Sequence, residues 1–376
     1  CPDVEAAAIR TLVVKLASRC NLACNYCYIY KHEDTSWRSR PAFMADDVFD
    51  AMLARMVEHC DPRPGHRMSL VFHGGEPTLL PASRFETLIA RARRTLGGRL
   101  AGLSMQSNAV RLTGDWLRAI EVTGVNVAVS LDGPPEVHDR VRIDHAGRGS
   151  HAATVAGLSR LVSIGVEPQV LCVVQPGTDG LAAFRHFLDL GVRHMNFLLP
   201  DVSHDNKARW YGDFGPAPVA DYLLPIFEDW FLRDDPGIRV VLFWELLSRL
   251  MGGPGVTDCF GNPRMSYLII ETDGAIEALD ALRVCEPGMG DSGLTVREHG
   301  FDDLALGRPL VHQAVHLGFP LCATCRACPH AGTCGGGFLP HRYARANGFD
   351  NPSVWCEDIQ ILLRRLRRAI DDAVVA

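Results

Sequence analysis

Three cysteines close behind an apolar run could hold an inorganic centre. Cys20, Cys24 and Cys27 are spaced three and two residues apart, so their thiols can converge from one tight loop. An iron-sulfur cube held by three thiolates leaves one iron open to a small molecule, whereas four thiolates close it. A zinc loop uses the same residue types. The C-x3-C-x2-C spacing, the strand before it and the aromatic neighbours favour iron and sulfide.

A second group of cysteines lies near the C-terminus. The chain has 13 cysteines, and in a reducing compartment so many thiols indicate metal or redox chemistry rather than disulfides. The C-terminal group consists of Cys325, Cys328, Cys334 and Cys356. Three further thiols, Cys259, Cys285 and Cys322, precede it.

Alternating strands and helices must position these residues. Apolar, β-branched strand patterns occupy 11–16, 68–72, 102–106, 125–131, 166–174 and 194–199. Helical patterns follow at 46–60, 82–96, 115–122, 152–164 and 180–190. Six strand-helix units predict an α/β fold with a parallel sheet, a partial (β/α)6 TIM-like barrel. Its functional loops should cluster at the carboxyl ends of the strands.

The remaining sequence predicts a linker and a smaller module. A polar, Pro/Gly-rich stretch at 200–218 precedes two helices, 219–232 and 241–251. Asp273-Gly274 predicts a type I' hairpin between 267–272 and 275–279. A helix over 357–374 closes the chain. We therefore predict three segments, with a barrel at 1–215, a helical linker at 216–256 and a cysteine-rich module at 257–376.

Composition excludes several classes of protein. Of 376 residues, 47% are hydrophobic and 22% charged, which is ordinary for a globular protein. A net charge of −6 argues against nucleic acid as the main partner. No apolar run approaches the length of a membrane span, and no leader is evident. We therefore expect a soluble cytoplasmic protein that has no membrane partner.

The cysteine loop and the strand ends resemble those of the radical S-adenosylmethionine (SAM) superfamily. The resemblance implies a [4Fe-4S] cluster on the three loop cysteines, with SAM at the open iron. The segment Gly74, Gly75, Glu76 and Pro77 resembles the motif that meets the amino group of SAM. Two glycines allow close approach of the backbone, and a carboxylate suits an ammonium group.

Further SAM contacts follow from the same resemblance. Ser130 and Arg142 are similar to the pair that holds the SAM carboxylate. Tyr26 would lie near the adenine, and Asn108 on the ribose side. Plainer roles stay open, because Arg142 could be a surface arginine, Ser130 could bond its own backbone, and His73 could be a packed core histidine.

The C-terminal cysteines resemble a SPASM domain, which carries auxiliary iron-sulfur clusters. Cys325, Cys328, Cys334 and Cys356 match the quartet of its distal cluster, and a full thiolate set suits electron transfer. Two of the usual seven cysteine positions hold Leu279 and Phe338 instead. Whether there are one or two auxiliary [4Fe-4S] clusters therefore stays open. Cys259, Cys285 and Cys322 could form a second cluster, Cys322 could join the distal quartet, or these thiols could simply be packed.

Segments around these cysteines most resemble the FxsB-like, cyclophane-forming peptide maturases. This resemblance implies a carbon-carbon crosslink between an aromatic ring and a β-carbon of a ribosomally made precursor peptide, with an electron donor such as flavodoxin or ferredoxin. Asp280 is a candidate proton acceptor, or else a solvated carboxylate at the end of a hairpin. The alternatives are oxidation of a serine or cysteine to formylglycine in a sulfatase, and a non-catalytic zinc-binding scaffold.

Overall fold

The computed structural model describes residues 8–212, 214–255, 257–306, 312, 315, 316 and 318–375. Its first seven strands are β1 (Thr11–Ala17), β2 (Met68–Gly74), β3 (Leu100–Ser107), β4 (Asn126–Ser130), β5 (Gln169–Val173), β6 (His194–Leu198) and β7 (Arg239–Val240). Three short strands follow, β8 (Tyr267–Ile270), β9 (Ala275–Glu277) and β10 (Leu294–Thr295). The six predicted strands are all present, with ends that differ by up to three residues.

The helices follow the predicted alternation. They are α1 (Asp46–Cys60), α2 (Ala82–Leu96), α3 (Gly114–Thr123), α4 (Pro135–Val141), α5 (His151–Ser163), α6 (Gly180–Asp189), α7 (Lys207–Tyr211), α8 (Pro218–Arg233) and α9 (Val241–Leu250). The cysteine-rich part contains α10 (Ala323–Arg326), α11 (Ala331–Cys334) and the long terminal α12 (Cys356–Val375).

The chain divides into two compact units. The first contains the described residues of 1–130, 142–168 and 264–318, and the second those of 131–141, 169–263 and 319–376. The cysteine loop and the hairpin around Gly274 therefore share the first unit. The C-terminal cysteine quartet lies in the second.

The first unit is built on parallel strands. β2 pairs with β1 and β3, and β4 with β3, all in parallel. β8 pairs in parallel with the other edge of β1, and the β9 and β10 pairings are antiparallel. Alternate residues of β2 are buried, as expected for a strand whose one face is covered by helices. The carboxyl ends of β1 to β4 carry the polar loops that the sequence placed there.

The second unit contains the parallel strands β5, β6 and β7. Its core includes the buried aromatic side chains Phe184, Phe187, Phe197 and Tyr222. Asp358 on α12 accepts hydrogen bonds from the backbone N–H groups of Val219 and Ala220 at 2.7 and 2.9 Å. A carboxylate at a helix N-terminus satisfies otherwise unpaired donors, so Asp358 ties the terminal helix to the start of α8.

Two local predictions are wrong. The Asp273-Gly274 turn is not type I', which would need a positive φ at both residues. Only Gly274 has one (92°), and its N–H donates to the carbonyl oxygen of Glu271, as in a type I turn followed by a left-handed glycine. The predicted loop at 200–218 also contains the short helix α7. Along the described part of the chain, no helix combines the length and apolar character needed to cross a membrane.

Candidate radical centre and cysteine sites

The loop after β1 brings the three predicted cysteines together. The backbone N–H of Leu22 donates to Cys20 Sγ at 3.4 Å, and the N–H groups of Ile29 and Tyr30 donate to Cys27. Burial raises the pKa of the Cys20 thiol, and the negative charges of Glu76, Cys24 and Cys27 raise it further.

These thiols are half-buried and lie close enough to repel one another as thiolates. Backbone N–H donors already point at two of the sulfurs. A cationic iron cluster would relieve the repulsion and accept such N–H···S bonds. The donor set therefore fits the predicted three-cysteine [4Fe-4S] cluster.

Gly74 and Gly75 press the loop after β2 against the cysteine loop. A Cβ atom on Gly74 would lie 2.2 Å from the carbonyl oxygen of Ala17, and one on Gly75 would lie 2.1 Å from Tyr30 Oη and 2.2 Å from the carbonyl oxygen of Arg19. The Gly75 N–H donates to Ala17 at 2.8 Å. Glycine is therefore required here for contact between two protein backbones.

Glu76 is 1% exposed and accepts four hydrogen bonds from the protein. Its Oε1 accepts from Thr78 N, Thr78 Oγ1 and Ser107 Oγ at 3.0, 2.7 and 2.8 Å, and its Oε2 accepts from Asn108 N at 2.8 Å. Burial raises the pKa of Glu76 in spite of these donors. Glu76 thus joins the loops after β2 and β3, and Pro77 begins a 3-10 turn next to it.

Asn108 reaches the cysteine loop from the end of β3. Its Nδ2 donates to Asn21 Oδ1 at 2.9 Å and lies 3.9 Å from Cys20 Sγ. The next residue, Ala109, has a left-handed φ of 58°, and its N–H donates to Ser107 Oγ at 3.0 Å. Strain of this kind in a non-glycine residue clusters at functional sites.

The other predicted SAM contacts lie at the same end of the first unit. The Arg142 guanidinium lies over the Tyr26 ring, 5.4 Å from its centroid, and Arg142 is 9% exposed rather than a surface arginine. Ser130 Oγ accepts a hydrogen bond from Gln106 Nε2 at 2.7 Å. His145 Nε2 lies 2.9 Å from the carbonyl oxygen of Cys20. Sequence reasoning did not identify Gln106 or His145, which belong to no motif.

Asp280 lies in a buried polar group that the sequence did not reveal. Lys15, on β1, is 1% exposed, and its Nζ lies 2.5 Å from Asp280 Oδ2. The Tyr28 hydroxyl donates to the same oxygen at 2.8 Å. Burial alone would raise the pKa of Asp280, but the Lys15 and Arg283 cations hold it well below its usual range. Asp280 is therefore an ionised, enclosed carboxylate rather than a solvated one.

His73 lies beside this group and is neutral at physiological pH. Burial and the Lys15 cation lower the pKa of His73 to about 4. Its Nδ1 is buried without a hydrogen-bond partner. One signal for this group was present in the sequence, since Lys15 is the charged residue of an otherwise apolar strand, TLVVKLA.

The C-terminal quartet lines one cavity in the second unit. Cys325, Cys328, Cys334 and Cys356 all face a space of about 380 Å³, part of which is open to solvent. Burial raises the pKa of Cys325 to about 12 and that of Cys334 to about 11. Four thiols around one cavity fit the donor set of a four-thiolate cluster.

The other three cysteines are divided between the units. Cys322 acts on Cys325 through a side-chain hydrogen bond, yet it does not line the cavity. Cys259 is hydrogen-bonded to Asp258 and also lies in the second unit, whereas Cys285 is buried in the first. A second auxiliary cluster on these thiols stays a prediction. Within the described ranges, no three or more His, Cys, Asp or Glu side chains are arranged to hold a metal ion.

Comparisons with known proteins match nearly the whole chain. Residues 14–188 match the family model of the Radical SAM superfamily. The cysteine-type anaerobic sulfatase-maturating enzyme of Clostridium perfringens is 24% identical over 355 residues, 92% of this chain and 93% of the relative. The serine-type enzyme of Klebsiella aerogenes is 26% identical over 348 residues, 89% of this chain and 81% of the relative.

A solved structure shares the fold. Native anSMEcpe with bound AdoMet and Kp18Cys peptide superposes with a TM-score of 0.83 at 22% identity, covering 97% of this chain and 99% of that chain. The predicted α/β fold with a cysteine-rich C-terminal part is confirmed.

Proposed function

We propose that this chain, whose residues 14–188 belong to the radical SAM superfamily, oxidises a serine or cysteine side chain of a peptide or protein to formylglycine. The support from relatives is that both cysteine-type and serine-type sulfatase-maturating enzymes match most of the chain. The observation that carries the proposal is the enclosed carboxylate of Asp280, held ionised by Lys15 in the same unit as the cysteine loop.

The prediction of a cyclophane crosslink is wrong. The matching relatives are named for sulfatase maturation, and their matches extend over both halves of the chain. The resemblance to cyclophane-forming maturases came from segments around the C-terminal cysteines. Such segments reflect the ligand set of an auxiliary cluster rather than the bond that is made. The superfamily match also weighs against a non-catalytic zinc scaffold.

The predicted SAM and iron-sulfur cofactors agree with the superfamily. When bound, they would supply a 5'-deoxyadenosyl radical that removes a hydrogen atom from the substrate carbon, and an acceptor for the electron that remains. Cys20, Cys24 and Cys27 would hold the initiating cluster. Cys325, Cys328, Cys334 and Cys356 would hold an auxiliary cluster. Flavodoxin or ferredoxin is the class of electron donor that we propose.

The protein's own part in the reaction is to position groups and to take a proton. Oxidation of R–CH2–OH to R–CHO removes one hydrogen atom, one proton and one electron. Asp280 is ionised, so its carboxylate can accept the proton of the hydroxyl or thiol. Lys15 and Tyr28 fix one carboxylate oxygen, which leaves the other for the substrate. Arg142 over Tyr26, together with Asn108 and Ser130, would orient SAM.

Mass spectrometry of a treated peptide tests this function. The anaerobically reconstituted chain would be incubated with SAM, dithionite and matched peptides that carry a serine or a cysteine at a sulfatase-type site. We expect loss of two hydrogens from the serine peptide, or exchange of sulfur for oxygen with the same loss from the cysteine peptide. The product should react with a hydrazide probe for aldehydes.

The matched control is the Cys24→Ala variant, which should form neither aldehyde nor 5'-deoxyadenosine. An intact peptide alongside abundant 5'-deoxyadenosine would overturn the proposed substrate class. Absence of 5'-deoxyadenosine from a fully loaded enzyme would overturn the radical chemistry itself.

A further inference from the structure

A buried arginine with no acidic partner lies beside the C-terminal cysteine cavity. Arg342 ends the 3-10 turn Leu339–Arg342 and is 1% exposed. Its Nη2 donates to the carbonyl oxygens of Pro320 and Phe349, the latter at 3.0 Å. Its guanidinium lies over the Phe319 ring, 5.4 Å from the centroid. Arg342 Nε is buried and has no hydrogen-bond partner.

The charge of Arg342 has no carboxylate to balance it. Among the residues that the structure describes, none forms an ion pair with this guanidinium, and its hydrogen bonds go to neutral carbonyl groups. A buried, unpaired cation is strongly unfavourable. The negative groups that act on it are led by the thiols of Cys325 and Cys322, followed by Asp350 and Cys334.

The free edge of the guanidinium faces the cavity wall. Gly336 lines the cavity together with the cysteine quartet. A Cβ atom on Gly336 would lie 3.5 Å from Arg342 Cδ and 3.6 Å from Arg342 Nε. The residue between the arginine and the cavity thus has no side chain, so little protein separates the cation from a group held there.

We propose that Arg342 supplies the counter-charge of the four-thiolate auxiliary cluster and thereby raises its reduction potential. This proposal rests on the ligand set given under the proposed function. One-electron reduction adds a negative charge to a cluster that four thiolates already make anionic. A fixed cation in a low-dielectric site stabilises the reduced form more than the oxidised form. Arg342 would therefore make this cluster a better acceptor of the electron left on the substrate.

A redox titration of the full chain tests the proposal. The background is the Cys20→Ala/Cys24→Ala/Cys27→Ala variant, in which only auxiliary clusters can titrate. Each protein would be reconstituted with iron and sulfide, analysed for both, and titrated with dithionite and mediators under electron paramagnetic resonance. Arg342→Gln removes the charge, and Arg342→Lys keeps it. Arg326→Gln, at an exposed arginine next to Cys325, is the matched control because water screens its charge.

We expect Arg342→Gln to lower the equilibrium constant for reduction at least about tenfold, which is about 59 mV for a one-electron couple. Arg342→Lys should lower it less, and Arg326→Gln should leave it unchanged. Loss of the cluster in Arg342→Gln but not in Arg342→Lys would also support a counter-charge.

An intact cluster with an unchanged potential in Arg342→Gln would overturn the role of Arg342. Loss of the cluster in both Arg342 variants would overturn it too, because shape and carbonyl contacts rather than charge would then be decisive. If the background variant binds no iron and sulfide, the proposed ligand set fails instead. The two failures are therefore distinguishable.

Discussion

Replacing Lys15 by methionine would test whether a buried ion pair keeps Asp280 ionised. Methionine retains an apolar stem of similar shape and removes the ammonium group that lies 2.5 Å from Asp280 Oδ2. The side chains are 1% and 13% exposed, so water cannot readily replace the lost charge. Arg283 would remain as the other strong cation acting on Asp280.

The expected effect on stability is large and depends on pH. Removing one partner of a buried ion pair costs about 3–5 kcal/mol, because the other charge is left buried. The folded pKa of Asp280 lies below its ordinary value of 3.8, so the pair contributes its full stability above that value and loses it as pH falls through the folded pKa. Without Lys15, burial outweighs the remaining cation and the pKa of Asp280 rises, by about 1.4 kcal/mol of lost interaction per pKa unit.

Two measurements check this reasoning. The free energy of unfolding of Lys15→Met should fall most at neutral pH, and the difference from the wild type should shrink below pH about 4. The acid limb of the pH profile of kcat/KM for formylglycine formation should move to higher pH, since a larger share of Asp280 would be protonated. Arg94→Met, which removes an exposed cation on α2, should change neither. A stability difference that is the same at every pH, or an unmoved acid limb, would refute the role assigned to Lys15.

Three further substitutions test the rest of the site. Glu76→Gln should lower the melting temperature and weaken SAM binding in calorimetry, because each donor left unpaired costs about 1–3 kcal/mol; unchanged SAM affinity would contradict the predicted contact. Gly75→Ala should reduce iron incorporation by forcing the two loops apart, whereas Gly98→Ala, which has open space around it, should not. Cys334→Ala should lose the iron and sulfide of one whole cluster, and equal metal content in Cys334→Ala and the control Cys60→Ala would count against the quartet.

The predictable part of this fold was the part governed by local periodicity. The helices α1 and α2 begin and end at the predicted residues, because long amphipathic patterns with clear flanks leave little freedom. Helix α4 was not predicted, since seven residues are too few to form a stable helix by propensity alone. It is held in place by tertiary contacts, such as the hydrogen bond from the Asp132 N–H to His138 Nδ1 at 3.2 Å.

The candidate site divides in the same way, between residues found by a motif and partners found only in three dimensions. Lys15 and Asp280 are 265 positions apart, so no spacing rule could have joined them. Yet a lysine inside an apolar strand needs a buried anion, because its charge cannot remain unpaired there. The same argument works in reverse for Gly74 and Gly75, whose freedom was assigned to SAM but serves contact between the protein's own loops. Asking which buried charge or missing side chain still lacks its partner therefore locates functional groups that motifs leave out.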